Sequence, residues 1–411
     1  MNTSEKKEDN RVIDITNDVS WIGILDYDIV TFDIVMKTEY GTTYNSYFIN
    51  ADKKAIIETA KEKFADVYIK KIKQLADPSE IQYIILNHTE PDHSGSLKHV
   101  LELAPGATVV GSGNAIRYLN DMFDFSFKSM VVKDGDTLDL GNKTLRFISA
   151  PNLHWPDTMY TYLEEDKLLF TCDSFGAHYC DERIFDDMVG DFNDGFKYYF
   201  DVILKPYSRF MLKAIDKIRS LEIDAICTGH GPVLRKNWKK YVDLSEKYAR
   251  EYIDATTGER KMRVLITYVS AYGYTKEMAE AIAMGVESGG NVEVRILDIE
   301  NIELGDLDSE VLKADALLVG SPTINQNTLL QVYKLFSVIN PLRDKGKLAA
   351  SFGSYGWSGE APAIIASNLK NLKLKVLEEN AAFKFRPGEE TRTELVAYGN
   401  RFARELTSLM G

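Results

Sequence analysis

The spacing of apolar and polar positions changes along the chain. Near the start they fall in short strand-like pieces, WIGILD (21–26), VTFDIVMKT (30–38) and TTYNSYFI (42–49), separated by glycine and charged turns. Residues 53–74 read as a helix, followed by the strand IQYIIL, the polar loop NHTEPDHSG and the helix SLKHVLELA. Strands at ATVVG, TLRFISA, TMYTYLEE, KLLFTC and DAICTG then mix β-meanders with crossover helices. A polar helix from residue 241 runs towards the turn-forming ATTGER, ending near residue 260. Beyond it the alternation is regular: MRVLITYV, helix 276–288, VEVRILDI, ADALLVG, helix 328–338, LAASFG, helix 361–370, LKVLEE and helix 389–409. Five strands alternating with helices predict a doubly wound parallel sheet, and the expectation is two domains, 1–257 and 258–411.

Composition supports two soluble, globular domains. The 411 residues are 45% hydrophobic and 27% charged, with enough apolar material for two cores. A net charge of −13, from 49 basic and 62 acidic residues without a basic run, repels a phosphate backbone and argues against nucleic acid as a ligand. No apolar stretch approaches the roughly 18 residues of a membrane span. The opening MNTSEKKEDN has no apolar signal core, so a cytoplasmic protein is expected. Its three cysteines, Cys172, Cys180 and Cys227, are odd in number and show no C-x-x-C spacing, as suits a reducing compartment without disulfides. All six histidines and all three cysteines precede residue 231, so the two halves carry different chemistries.

The first chemistry lies in the loop after IQYIIL, where His88, Glu90, Asp92 and His93 place four ligand-type side chains within six residues. Alternation in an extended segment sends His88, Glu90 and Asp92 to one side, and a helix starting near Ser94 turns His93 back. Two neighbouring metals can then share one loop. His154, Asp173 and His230 each follow another apolar strand, and α/β folds build sites where such strand ends converge. Any one of these residues alone reads as a solvated loop histidine or a helix cap; the set does not. His99 lies within the following helix and reads as structural or exposed, whereas His178, five residues past Asp173, reads as a hydrogen-bonding support for the ligands.

This spacing resembles the metallo-β-lactamase superfamily. Glu90 at the second ligand position, TTYNSYFI upstream and LHWPDTMY around His154 resemble the flavodiiron proteins over nearly the whole chain. Hydrolases of the superfamily carry histidine where this chain has Glu90, which suits zinc; Glu90, Asp92 and Asp173 together suit a harder pair of irons that must reach the ferric state. The resemblance implies an αββα sandwich around an oxo- or hydroxo-bridged diiron site. By the same resemblance His88, Glu90 and His154 hold one iron, Asp92, His93 and His230 the other, and Asp173 bridges; water replaces the histidine matching His93 in some members.

The second chemistry follows MRVLITYV, where Ser270, Ala271, Tyr272, Gly273, Tyr274 and Thr275 lead into a helix. Hydroxyls and free amides at a helix N-terminus make a phosphate cradle, and the lack of G-x-G-x-x-G points to a mononucleotide. The loop resembles that of flavodoxins, with Tyr272 and Tyr274 standing where those often have Thr or Ser. Two more loops end neighbouring strands: Pro322, Thr323 and Asn325 in one, and Ser354, Tyr355, Gly356, Trp357 and Gly359 in the other. They fall where a flavodoxin-like sheet holds the ring of FMN, with Trp357 or Tyr355 to stack on it and Gly353, Gly356 and Gly359 permitting close approach. An isolated loop tryptophan otherwise reads as a plug in the core.

A flavin joined to a redox-active metal pair implies electron transfer to a small oxidant, which hydrolysis does not need. The flavodiiron resemblance implies reduction of dioxygen to water or of nitric oxide to nitrous oxide, with rubredoxin as electron donor. It also implies a head-to-tail homodimer, or a dimer of dimers. Tyr198, Tyr199 and His178 are candidates to hydrogen-bond a bound oxygen species; aromatic packing on a helix is the plainer reading of the tyrosines. Two rivals stand beside this reading: a zinc hydrolase fused to a flavodoxin-like domain, and a non-catalytic electron-transfer or redox-sensing module.

Overall fold

The computed structural model describes residues 9–32, 36–257, 261–341 and 343–410. Residues 33–35 of the predicted strand 30–38, the start of the predicted second domain at 258–260 and most of the N-terminal charged segment lie outside that range. The chain divides into two compact units, 1–254 and 255–411. No helix among the described residues is long and apolar enough to cross a membrane.

The first unit is an αββα sandwich. One sheet has seven strands in the order Ile13–Asp14, Val19–Trp21, Tyr47–Ile49, Lys54–Ile57, Ile81–Ile85, Thr108–Gly111 and Lys128–Val131. The other has five: Thr137–Asp139, Thr144–Ser149, Met159–Leu163, Leu168–Cys172 and Ala225–Thr228. Strand alternation splits consecutive apolar residues between two layers. Ile57, Ile85, Val110, Phe147, Phe170 and Cys227 meet between the sheets. Their neighbours Ile56, Ile84, Val109, Ile148, Leu169 and Ile226 turn outward, under helices that contribute Tyr68, Ile72, Met211 and Ile215. Strands buried on both faces therefore read as unbroken apolar runs.

Two predicted elements differ in particular: the predicted strand 30–38 holds two short strands, Thr31–Phe32 and Met36–Lys37, paired antiparallel, and the predicted helix 53–74 is shorter. In the span 53–74 the helix begins only with a 3₁₀ turn over Glu62–Phe64 that leads into the α-helix Ala65–Leu75; Lys54–Ile57 is a strand pairing Tyr47–Ile49 on one side and Ile81–Ile85 on the other. The helical spacing of the charged residues hid Ala55-Ile56-Ile57, a run that fits a strand interior.

The second unit is a flavodoxin-like sheet, with parallel strands in the order Val292–Asp298, Met262–Tyr268, Ala316–Gly320, Leu348–Tyr355 and Lys375–Val376. A further strand, Ala381–Lys384, also pairs Leu348–Tyr355, and a helix over Leu304–Lys313 that the pattern did not indicate completes the second crossover. Helices Tyr274–Gly289 and Glu389–Met410 contribute Met278, Ile282, Leu395 and Phe402 to the core on one face. Val311, Leu335 and Ile365 cover the other.

Candidate metal centre and flavin loops

In the first unit the candidate ligands leave strand ends on one rim. His88 lies just beyond Ile81–Ile85, and Asp173 directly follows Leu168–Cys172. His154 lies beyond Thr144–Ser149, and His230 beyond Ala225–Thr228. Pro91 opens a short helix, Pro91–Ser94, because its fixed φ suits a first helical position. The extended stretch therefore ends at Glu90, earlier than alternation predicted. Asp92 and His93 turn together, away from His88 and Glu90.

The result is two clusters that share one carboxylate. In the first, Glu90 Oε2 lies 3.1 Å from His88 Nε2 and 3.0 Å from His154 Nε2, while Asp173 Oδ2 lies 3.5 and 3.6 Å from the same nitrogens. In the second, Asp92 Oδ2 lies 3.1 Å from His230 Nε2 and 3.6 Å from His93 Nε2. Asp173 Oδ1 completes it, 3.2 Å from His93 Nε2 and 3.5 Å from His230 Nε2. Within each of the groups His88–Glu90–His154–Asp173 and Asp92–His93–His230, the donor atoms fall within 4.8 Å of one another.

The cluster fits a pair of cations. Both carboxylate oxygens of Asp92, and Asp173 Oδ2, are buried without a hydrogen-bond partner. Buried anions left in that state cost several kcal/mol, roughly, unless a cation or donor meets them. Without a cation, the anionic field draws protons onto the imidazoles. Burial opposes the charged form of His93, yet Asp92 and Asp173 push its pKa up to about 10. Burial likewise opposes ionisation of Asp173, but His93 and His88 hold it well below the usual carboxylate range. Four imidazoles and three carboxylates form a harder, more anionic set than an all-histidine zinc site.

Groups behind the ligands fix two of the rings. His88 Nδ1 lies 3.2 Å from Asp157 Oδ2, which also accepts the Thr89 N–H and O–H, each at 2.8 Å. His230 Nδ1 donates to the Thr43 carbonyl at 2.6 Å. Both contacts leave Nε2 as the lone-pair donor. Sequence reasoning assigned no role to Asp157 or Thr43, although LHWPDTMY and TTYNSYFI contain them.

The two candidate tyrosines separate. Tyr199 ends the helix Asn193–Tyr199, which continues as a π-helical turn over Phe200–Leu204, and its hydroxyl donates to Asp173 Oδ1 at 3.1 Å. Burial, then the charge on Asp173, raises this phenol well above 10, so it remains a donor. Tyr198 is half-buried one position earlier, about 100° round the helix from Tyr199. His178 Nδ1 lies 2.9 Å from Thr42 Oγ1, while its Nε2 is buried without a hydrogen bond. The His178 ring packs 4.8 Å from Tyr199 and 5.3 Å from His230, between centroids. Burial, then His230, lowers its pKa to about 3, leaving a neutral imidazole. His99 is half-buried, 3.6 Å from Glu62 and apart from both clusters.

In the second unit the three predicted loops leave three adjacent strands, Met262–Tyr268, Ala316–Gly320 and Leu348–Tyr355. Gly273 takes φ +84° as the residue before the helix Tyr274–Gly289 and offers no side-chain cap of its own. The helix N-terminus opens onto this hydroxyl-rich loop, an arrangement that fits a phosphate. Ser270 Oγ accepts the Lys276 N–H at 3.3 Å, and the buried Thr275 hydroxyl bonds Ser354 Oγ at 2.9 Å. The loops are tied together, since Thr323 N–H donates to the Ser354 carbonyl at 2.9 Å and Thr323 Oγ1 accepts from Ala361 N–H at 3.1 Å. Pro322 is buried beside them, and Asn325 takes φ +54° at the loop's tip. Tyr355 and Gly359 pack together, a Cβ on Gly359 falling 3.0 Å from the Tyr355 ring. Gly356 faces Phe385 in the same way at 3.4 Å. Gly353 serves the fold itself, because a Cβ there would lie 2.1 Å from the Ser321 carbonyl oxygen. Trp357 is 77% exposed and Tyr272 82% exposed, so neither plugs the core; both offer open aromatic faces on the ligand loops.

Comparison with known proteins agrees with both halves. The family profile of ODP family beta lactamases matches residues 42–231, and that of flavodoxin matches residues 266–399. The chain is 40% identical over 406 residues to a flavo-diiron protein of Clostridium acetobutylicum, spanning 96% of this chain and 99% of that one. It is 36% identical over 371 residues to a nitric oxide reductase of Moorella thermoacetica, spanning 89% and 91% of the two chains. Among solved structures, the rubredoxin oxygen:oxidoreductase of the anaerobe Desulfovibrio gigas superposes with a TM-score of 0.73 at 27% identity, covering 98% of this chain and all of the other.

Proposed function

The chain belongs to the flavodiiron proteins, and from that membership we propose that it is a cytoplasmic reductase of dioxygen, nitric oxide or both, drawing electrons from rubredoxin through FMN. The observation that carries this reading is Asp173, whose two oxygens face two separate imidazole–carboxylate clusters. We assign His88, Glu90 and His154 to one iron and Asp92, His93 and His230 to the other, with Asp173 bridging. Ser270–Thr275 and the loops at 322–325 and 354–359 would hold FMN.

When bound, FMN relays electrons to an iron pair that passes them to the oxidant. Four electrons and four protons convert dioxygen to two waters; two electrons and two protons convert two nitric oxide molecules to nitrous oxide and water. The chain's own part is to present seven ligand side chains on one rim, orient two of them through Asp157 and the Thr43 carbonyl, and hold a phenolic proton at Tyr199 beside Asp173. His178, with Nε2 unpaired, offers a further hydrogen-bonding atom on the same side.

Dioxygen is favoured over nitric oxide because its reduction consumes more protons, and Tyr199 and His178 supply hydrogen-bonding groups next to the shared carboxylate. The family arrangement supports a head-to-tail homodimer in which the flavin of one subunit serves the iron of the other. Steady-state turnover of both gases with reduced rubredoxin, alongside iron and flavin counts, tests the proposal. The expected result is two irons and one FMN per chain, with dioxygen turnover the faster. Nitric oxide turnover tenfold above dioxygen turnover would overturn the preference. Two zinc ions with undiminished activity would overturn the iron assignment.

A further inference from the structure

Glu58 immediately follows the strand Lys54–Ile57 and takes φ +58°, a left-handed conformation disfavoured for a residue with a Cβ. Its side chain is 2% exposed and turns towards the ligand loop. Oε1 accepts the Asn87 N–H at 2.9 Å, one residue before His88. Oε2 is buried without a hydrogen-bond partner and lies 3.7 Å from His93 Nδ1. The other face of His93 is the metal face, with Nε2 3.2 Å from Asp173 Oδ1. His93 thus stands between an orphaned carboxylate oxygen and the second cluster. The only other polar atom near Nδ1 among the described contacts is Cys172 Sγ at 3.7 Å, a weak acceptor.

A neutral imidazole carries one N–H, and it can bind a metal only through the nitrogen that lacks it. For His88 and His230 the non-binding nitrogen faces Asp157 and the Thr43 carbonyl. We propose that Glu58 does the same for His93, as a positioning residue: its Oε2 keeps the proton on Nδ1 and so leaves Nε2 free for the second metal. The 3.7 Å separation exceeds a hydrogen bond, and a movement of about 0.8 Å closes it. The inference rests on the proposed metal centre and goes beyond it by naming what decides whether His93 is a ligand.

Glu58→Gln tests this almost without change of shape. The single amide oxygen must satisfy Asn87 N–H, which leaves the amide NH₂ facing Nδ1. His93 must then accept at Nδ1, carry its proton on Nε2 and lose its place at the metal. Full-length apoprotein is titrated with Zn²⁺ against a competing chelator. Wild type is expected to bind two ions tightly, and Glu58→Gln to bind one tightly and the second about 10- to 100-fold more weakly. Glu58→Asp should fall nearer wild type, and Glu58→Gln should have no further effect in a His93→Ala background. Unchanged affinity for both ions, or an equal loss without His93, overturns the inference. Fewer than two ions in wild type overturns the metal-centre reading instead. Imidazole ¹⁵N shifts of zinc-loaded wild type give a check that needs no variant: a His93 proton on Nδ1 is expected, and one on Nε2 would refute the proposal.

Discussion

Tyr199 donates its hydroxyl to the same oxygen of Asp173, Oδ1, that faces His93 and His230. The phenol therefore bonds the shared carboxylate on the side of the second cluster. Tyr199→Phe should leave both metals bound and lower dioxygen turnover about tenfold, the value of one charge-assisted hydrogen bond of about 1.5 kcal/mol. Tyr198→Phe should change turnover less than twofold. Equal effects from the two substitutions would show that the Asp173 bond plays no part in turnover.

Asp173 is the residue whose replacement should cost most metal. Asp173→Asn substitutes an amide NH₂ for one of two oxygens that face different clusters, and should leave at most one ion per chain. Asp92→Asn, which touches only the second cluster, should leave one ion in the first. Metal analysis of purified variants separates these outcomes; two ions retained in Asp173→Asn would remove the bridge. Stripping metal with a chelator should lower the melting temperature of the first unit, since a ligand held at 100 times its Kd adds about 2.7 kcal/mol.

The second unit should bind flavin by itself. A fragment of residues 258–411 is expected to fold and turn yellow with one FMN. Trp357→Ala in the full chain should weaken FMN up to about tenfold through lost stacking, read from recovery of free-flavin fluorescence. A folded fragment that stays colourless with excess FMN would refute the loop assignment.

Lys71 gives a stability test remote from both sites. It is fully buried, donates to the Gly23 carbonyl at 2.6 Å and lies 4.5 Å from the Trp21 ring. Burial lowers its pKa from 10.5 to about 8, with Asp9 partly opposing. Between those values the unfolded chain holds a proton that the folded chain has released, so stability rises with pH across the window and is lost as pH falls towards 8. The full change is about 3 kcal/mol. Urea unfolding from pH 7.5 to 10.5 should show this slope in wild type and not in Lys71→Met. Parallel curves would mean that Lys71 stays charged when buried.

How much of this was legible in the sequence depends on how local each signal is. His88, Glu90, Asp92 and His93 crowd one short loop, and His154, Asp173 and His230 follow conspicuous apolar strands, so the candidate ligands stand out as residues that converge. The parallel sheet of the second unit is legible for the same reason, its strands being buried on both faces. Glu58, Asp157 and Thr43 were not legible as supports, because each acts through a ring distant in sequence. Glu58 was further hidden by the charged residues that made its strand look helical. Tyr199 could not be told from Tyr198 until the helix fixed which one turns inward.

The spread of the ligands along the chain also orders biosynthesis. The second cluster, and with it the full set of seven, is not complete until the strand Ala225–Thr228 has paired alongside Leu168–Cys172 and brought His230 to the rim. That strand lies near the end of the first unit, and residues 255–411 form a unit of their own. On a translating ribosome the nascent chain therefore stays short of a metal ligand through most of the first unit. It gains a full set shortly before the flavin-binding segment emerges, so iron can be captured before there is anywhere for FMN to bind.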